Sequence, residues 1–185
     1  MTATLFVQDL ADQTSTCCDI FPDPLPVQDV NRAILEIQNL NLEPIQYKMM
    51  DEEEGEGWSK AKTFEIAFQY RNFLILKVLY PKKTISPTRD IDKMWHYHIL
   101  DTSKYMLDCQ NIFGNYLHHF PYLGMRGEKD RVALTVCFED TKQLFLHHFG
   151  VEMGSDNDLV ATSTCNTYCG GNIRFLSGLS RPQLS

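Results

Sequence analysis

Residues 90–109 read DIDKMWHYHILDTSKYMLDC, and this stretch decides the fold prediction because its apolar residues recur at helical spacing. If residues 90–114 form one helix, its apolar residues and one histidine share a single stripe. That stripe consists of Ile91, Met94, Trp95, His98, Thr102, Tyr105, Cys109, Ile112 and Tyr116. Asp101 is also a good residue for a helix start, so two helices meeting near residue 101 are the alternative.

Helical spacing continues on both sides of this stretch. The segments 27–42, 58–80 and 128–149 each carry apolar residues three and four apart, and Pro81 and Gly150 follow two of them. The run FLILKVLY at residues 73–80 is short and apolar, so a strand is an alternative there. We predict an all-α fold, a single compact bundle of about four to six helices with a flexible C-terminal tail.

The ends of the chain differ in composition from its middle. Residues 1–25 contain CCDIFPDPLP and are expected to be a loosely ordered N-terminal segment, since closely spaced prolines prevent a regular helix. Residues 26–153 form the predicted helical domain. Residues 154–185 are rich in Gly, Ser and Thr and contain Cys165 and Cys169, so we expect a mobile tail.

Charge and hydropathy exclude some classes of function. The 185 residues carry a formal net charge of −7, which repels phosphate backbones, so we expect no nucleic-acid partner. No run of eighteen apolar residues is present, so we expect no membrane span. The N-terminus lacks the pattern of a signal peptide, which favours a cytoplasmic location with a small molecule, peptide or protein as partner.

The six histidines fall in three adjacent or near-adjacent pairs along the chain. Within residues 90–114, His98 lies on the apolar stripe, and His96 points about 160° away from it on a regular helix. His96 instead follows Asp92 by four residues, the spacing at which two side chains on a helix meet. His96 and His98 therefore cannot chelate one ion from a regular helix, and a metal site needs histidines from elsewhere in the chain.

These side chains favour a transition-metal site built inside a helical bundle, with zinc, iron or copper as the ion. His98 is the first candidate ligand because it is expected to face inward. The further candidate ligands are His96, His118, His119, His148 and Cys109. His148 is expected to face inward together with Cys137 on the helix at 128–149. Asp92 is expected to orient His96, and Tyr105 is expected to support the ligands from behind.

The competing hypothesis is that these His and Cys residues are structural and the protein is a non-catalytic helical interaction module. No catalytic nucleophile motif, phosphate-binding loop or compact zinc signature is present, so catalytic residues and enzyme class stay open. The CxxxC spacing of Cys165 and Cys169 leaves a metal site, a disulfide and free thiols as alternatives.

The segment around WHYH resembles the glycine-rich domain-containing protein-like family, whose motif is D-x-x-W-H-x-H-x-L followed by a Tyr and a Cys. The matching positions are Asp92, Trp95, His96, His98, Leu100, Tyr105 and Cys109, followed by Phe113-Gly114 and His118-His119. The resemblance covers residues 58–122 best. It implies that the motif acts as a unit and implies no particular reaction. The tail TCNTYCGGN is similar to a reduced form of the family's Gly-rich extension.

Overall fold

The computed structural model describes residues 27–153, in which six α-helices pack around one core. They are α1 (Val27–Gln38), α2 (Glu43–Met50), α3 (Lys60–Leu79), α4 (Arg89–Leu100), α5 (Thr102–Phe113) and α6 (Glu128–Phe149). Within this range no strand is formed, and the predicted all-α bundle is confirmed. The predicted N-terminal segment and the flexible C-terminal tail lie outside the described residues. In the described part, no helix has the length and apolarity that crossing a membrane requires.

Helix α3 is the centre of the bundle, and α1, α2, α4 and α6 all pack against it. It begins after Ser59, whose hydroxyl accepts a hydrogen bond from the Lys62 amide and so caps the first turn. Its second half is buried almost all round, with Phe73 and Leu76 fully enclosed. The strand alternative for residues 73–80 is therefore wrong, because this apolar run is the last part of a helix surrounded by other helices.

The segment 90–114 forms two helices that meet at Asp101. This residue ends α4 and caps α5, since its carboxylate accepts a hydrogen bond from the Lys104 amide. α5 then folds back to pack against α4. The single continuous stripe is therefore wrong, and the alternative of a split near residue 101 is the one observed. The physical reason is that an Asp side chain competes for backbone amides and favours a cap over a helix interior.

The connection between α5 and α6 carries His118 and His119. It starts at Gly114, which ends α5 with a φ of 73°, a left-handed conformation that glycine adopts without strain. At its other end, the Asp130 carboxylate accepts hydrogen bonds from the Gly124 and Arg126 amides. The connection is thus tied to α6 by side-chain hydrogen bonds.

Helix α6 buries Leu134, Phe138, Thr141 and Phe145, and the Thr141 hydroxyl accepts a hydrogen bond from the Ser86 amide at 3.0 Å. The expectation that His148 faces inward is wrong: its side chain is exposed. Phe145, three residues earlier, is fully buried and occupies the inward position in the last turns of this helix.

Candidate metal centre

His119 lies against the surface of α4 at the point where Asp92, Trp95 and His96 meet. These three residues follow the i, i+3, i+4 spacing that places side chains together on one face of a helix. The His119 ring packs on Trp95 and on His96, with centroid distances of 4.6 Å in each case. A residue from a loop thereby completes a group that a helix alone provides only in part.

Three ligand atoms converge in this group. His96 Nε2 lies 3.1 Å from His119 Nε2, and His119 Nε2 lies 3.0 Å from Asp92 Oδ1. His96 Nε2 lies 3.6 Å from Asp92 Oδ2. Atoms bound to zinc at 2.0–2.2 Å are about 3.3–3.6 Å apart at tetrahedral angles and about 2.8–3.1 Å apart at right angles. The triangle formed by these three side chains, whose two edges at Asp92 end on different carboxylate oxygens, therefore has separations close to those between the ligands of one transition-metal ion, and the group could hold one.

The protons of these side chains cannot satisfy all three contacts. His119 Nε2 faces both His96 Nε2 and Asp92 Oδ1, and an imidazole nitrogen holds one proton at most. If the His119 Nε2 proton is donated to Asp92, the contact with His96 Nε2 has no proton of its own from His119. If His119 Nε2 accepts from His96, its lone pair faces a carboxylate oxygen. A cation between the three side chains removes this conflict, because each side chain then directs a lone pair at the ion.

The group is closed on two sides and open on the third. The side chains of Asp92 and His119 are 6% and 9% exposed, whereas that of His96 is 46% exposed. Burial lowers the pKa of His96, an effect that the Asp92 carboxylate opposes and His119 reinforces. A neutral imidazole is the form that binds a metal ion. His96 is therefore the member of the triangle that is exposed to solvent.

Asp92 lies in the first turn of α4, which Thr88 caps by accepting a hydrogen bond from the Ile91 amide. Free backbone N–H groups and the helix dipole favour a negative charge at this position. The carboxylate is 6% exposed and pairs with histidines rather than with a lysine or arginine. The sequence predicts that Asp92 orients His96, and the geometry makes its carboxylate a candidate ligand as well.

His98, the first candidate ligand from the sequence, lies in a different hydrogen-bonding group. Its Nδ1 is 2.9 Å from the Tyr70 hydroxyl, and its Nε2 is 2.9 Å from Asp108 Oδ2. Lys104 Nζ pairs with the same Asp108 oxygen at 2.8 Å. Burial lowers the pKa of His98 although Asp108 opposes the shift, and burial raises that of Tyr70. Both ring nitrogens are thus engaged in links between α3, α4 and α5.

The remaining candidates lie outside the converging triangle. His118 packs beside the Tyr116 ring at 4.9 Å, and His148 Nε2 is 2.7 Å from the Tyr80 hydroxyl. Cys109 is 2% exposed, and burial raises the pKa of its thiol. Across residues 27–153, the group of three His, Cys, Asp or Glu side chains whose ligand atoms lie within 4.8 Å of one another consists of Asp92, His96 and His119. Cys165 and Cys169 lie outside the described residues.

Tyr105 contacts the loop behind His119. Its hydroxyl accepts a hydrogen bond from the Trp95 indole N–H at 2.9 Å and donates one to the Leu117 carbonyl at 2.5 Å. The packing of Trp95 on His119 was not predicted from the sequence, in which Trp95 reads as a core residue. The Trp95-His96 dipeptide was a signal, since neighbouring residues on α4 can enclose one inserted side chain from two sides.

A protein-family model, described as UCP032817-like, matches residues 33–139. The match spans more than half of the chain, so the protein belongs to the UCP032817-like family. The assignment to glycine-rich domain-containing proteins is therefore wrong, and the W-H-x-H segment belongs to the matched region of a different family. No curated protein and no solved structure matches the chain.

Proposed function

We propose that this member of the UCP032817-like family binds a divalent transition-metal ion through Asp92, His96 and His119. The observation that carries the proposal is the convergence of three side chains, with His96 Nε2 and His119 Nε2 3.1 Å apart and 3.6 and 3.0 Å from the two oxygens of the Asp92 carboxylate. Two imidazoles and one carboxylate form a donor set used both by zinc enzymes and by non-haem iron(II) enzymes.

The donor set favours zinc or iron(II) over copper(I). Copper(I) prefers sulfur ligands, whereas this triangle offers two nitrogens and an oxygen. The thiol candidate from the sequence, Cys109, is buried with a raised pKa, and a protonated thiol is a poor metal ligand. Of the three metals predicted from the sequence, copper is therefore supported only as copper(II).

Three protein ligands support a catalytic rather than a purely structural centre. Structural zinc sites use four protein ligands, whereas catalytic sites use three and keep one position for water or substrate. The exposed edge of His96 gives a small ligand access to that position. A metal ion bound there would supply Lewis acidity or an activated water. Asp92 would neutralise one of its two charges, so the remaining positive charge favours an anionic, oxygen-bearing ligand.

A non-catalytic interaction module is the second candidate. Val132 and Val136 lie one turn apart on α6 and are 54% and 55% exposed, and Leu146 on the same helix is 54% exposed. Exposed apolar side chains of this kind suit contact with a partner protein. The two candidates differ in a simple observable, because only the first requires a bound metal.

Elemental analysis of untagged protein, purified and also reconstituted with zinc or iron(II), tests the proposal. We expect about one equivalent of metal in the wild-type protein and in His148→Ala, a matched control whose histidine is outside the triangle. His119→Ala should retain less than about a tenth of an equivalent. Less than that amount in the reconstituted wild type, or equal retention in both variants, contradicts the proposal.

A further inference from the structure

His119 is the one ligand of the triangle that a helix does not hold in place. Asp92 and His96 are fixed by α4, whereas His119 belongs to the connection between α5 and α6. If a loop residue becomes ordered only when the ion binds, its loss of conformational entropy lowers the affinity for the ion. The contacts of this loop therefore decide how well the site is formed before an ion arrives.

Two buried aromatic side chains hold this part of the loop. The Trp95 ring lies 4.6 Å from the His119 ring with an interplanar angle of 60°. Trp95, Tyr105 and Leu117 are 0%, 1% and 1% exposed. The Trp95 ring in turn packs against the Phe73 ring, with the ring centroids 5.1 Å apart. His119 thus rests on a packed aromatic surface rather than on a free side chain.

The hydrogen bonds of this group have a defined direction. An indole N–H can only donate and a carbonyl oxygen can only accept, so the Tyr105 hydroxyl accepts from Trp95 and donates to Leu117. Leu117 precedes His119 by two residues in the chain. The hydroxyl therefore connects the ring beneath His119 with the backbone that carries His119.

We propose that Trp95 and Tyr105 are positioning residues that hold His119 at its ligand position before metal binds. The inference rests on the proposed metal function, and it assigns to Tyr105 a contribution to affinity without contact to the ion. Groups behind a metal ligand typically change affinity by about 10–100-fold when removed. Replacement of Tyr105 by Phe keeps the ring and removes the link to Leu117.

The test compares Tyr105→Phe with Tyr70→Phe. Both tyrosines are fully buried and hydrogen-bonded, but Tyr70 bonds His98 rather than the loop. In a chelator competition assay we expect zinc affinity to fall about 10–100-fold in Tyr105→Phe and by less than about threefold in Tyr70→Phe. The visible spectrum of the cobalt(II) form should change in Tyr105→Phe alone, because His119 is then held less firmly at its ligand position. Equal affinity and spectra in both variants overturn the inference.

Hydrogen exchange of the metal-free protein separates this inference from the proposed function. We expect peptides covering residues 115–123 to exchange faster in Tyr105→Phe than in the wild type, with no such change in Tyr70→Phe. Unchanged exchange in Tyr105→Phe overturns the positioning role even if the wild type binds zinc. If the wild type binds no metal, the proposed function fails, and the positioning inference that rests on it is overturned too.

Discussion

His119 Nε2 lies 3.0 Å from Asp92 Oδ1, although the two residues are 27 positions apart and belong to a loop and a helix. Asp92 and His96 supply two ligand atoms from neighbouring turns of α4, and His119 supplies the third. The contact completes a group of three side chains that could hold a metal ion. It also ties the connection between α5 and α6 to the side of α4.

Asp92→Asn is expected to abolish tight zinc binding while leaving the fold intact. The substitution keeps the shape of the side chain and removes the charge that balances the cation, so affinity should fall by at least the roughly 10–100-fold that is typical for groups behind a ligand. Isothermal titration with zinc measures the change. Asp108→Asn is the matched control, since its carboxylate bonds His98 and Lys104 instead. Similar zinc affinity in both variants would contradict the ligand role of Asp92.

Zinc is expected to stabilise the wild-type protein against heat. A ligand at 100 times its dissociation constant adds about 2.7 kcal/mol to the free energy of unfolding. For a chain of this size that raises the melting temperature by roughly 5–11 °C. Differential scanning fluorimetry with zinc and then with excess chelator measures the shift and its reversal. His119→Ala should show almost none of it, and a full shift in that variant would argue for zinc binding elsewhere.

His98→Ala is expected to reduce stability without removing zinc binding. His98 bonds Tyr70 and Asp108 in the interior, and its loss leaves those buried polar groups with fewer partners. The free energy of unfolding should fall by about 1–3 kcal/mol, measured by urea denaturation of the metal-free protein. Zinc stoichiometry should stay near one equivalent. Loss of zinc from a variant that is still folded would make His98 part of the metal site.

The metal-free protein is expected to lose stability as the pH falls below about 6.5. Burial lowers the pKa values of His96, His98 and His118 from 6.5 in the folded state. The unfolded chain then binds protons more readily, so the stabilisation is present above pH 6.5 and is lost as the pH falls toward the lowered values. Urea denaturation in chelator at pH 7.5, 6.5 and 5.5 measures the trend. A constant or rising free energy of unfolding toward pH 5.5 would contradict it.

The sequence was most informative where a long periodic segment ended at a strong breaker. The predicted helix at 128–149 has the observed bounds of α6, and Pro81 and Gly150 lie just beyond helix ends. Helix α2 was not predicted, because its eight residues are too few for a clear apolar period. At Asp101 the sequence left one helix and two helices open. The capping preference of Asp favours two helices, and the packing of α5 against α4 stabilises that arrangement.

The candidate site could be read from the sequence only in part. The spacing of Asp92 and His96 on α4 indicated a pair, and His119 was one of several histidines that could join it. Which one does so depends on the path of a loop, and local sequence does not determine that path. His98 ranked first because it faces inward, yet an inward position equally suits a histidine that bonds Tyr70 and Asp108.

Anomalous diffraction at the zinc absorption edge, from crystals grown with zinc, tests the central claim most directly. We predict one strong peak at about 2.0–2.2 Å from a carboxylate oxygen of Asp92 and from the Nε2 atoms of His96 and His119. The absence of a peak among these three side chains, or a peak only at other residues such as His147 and His148, would contradict the account.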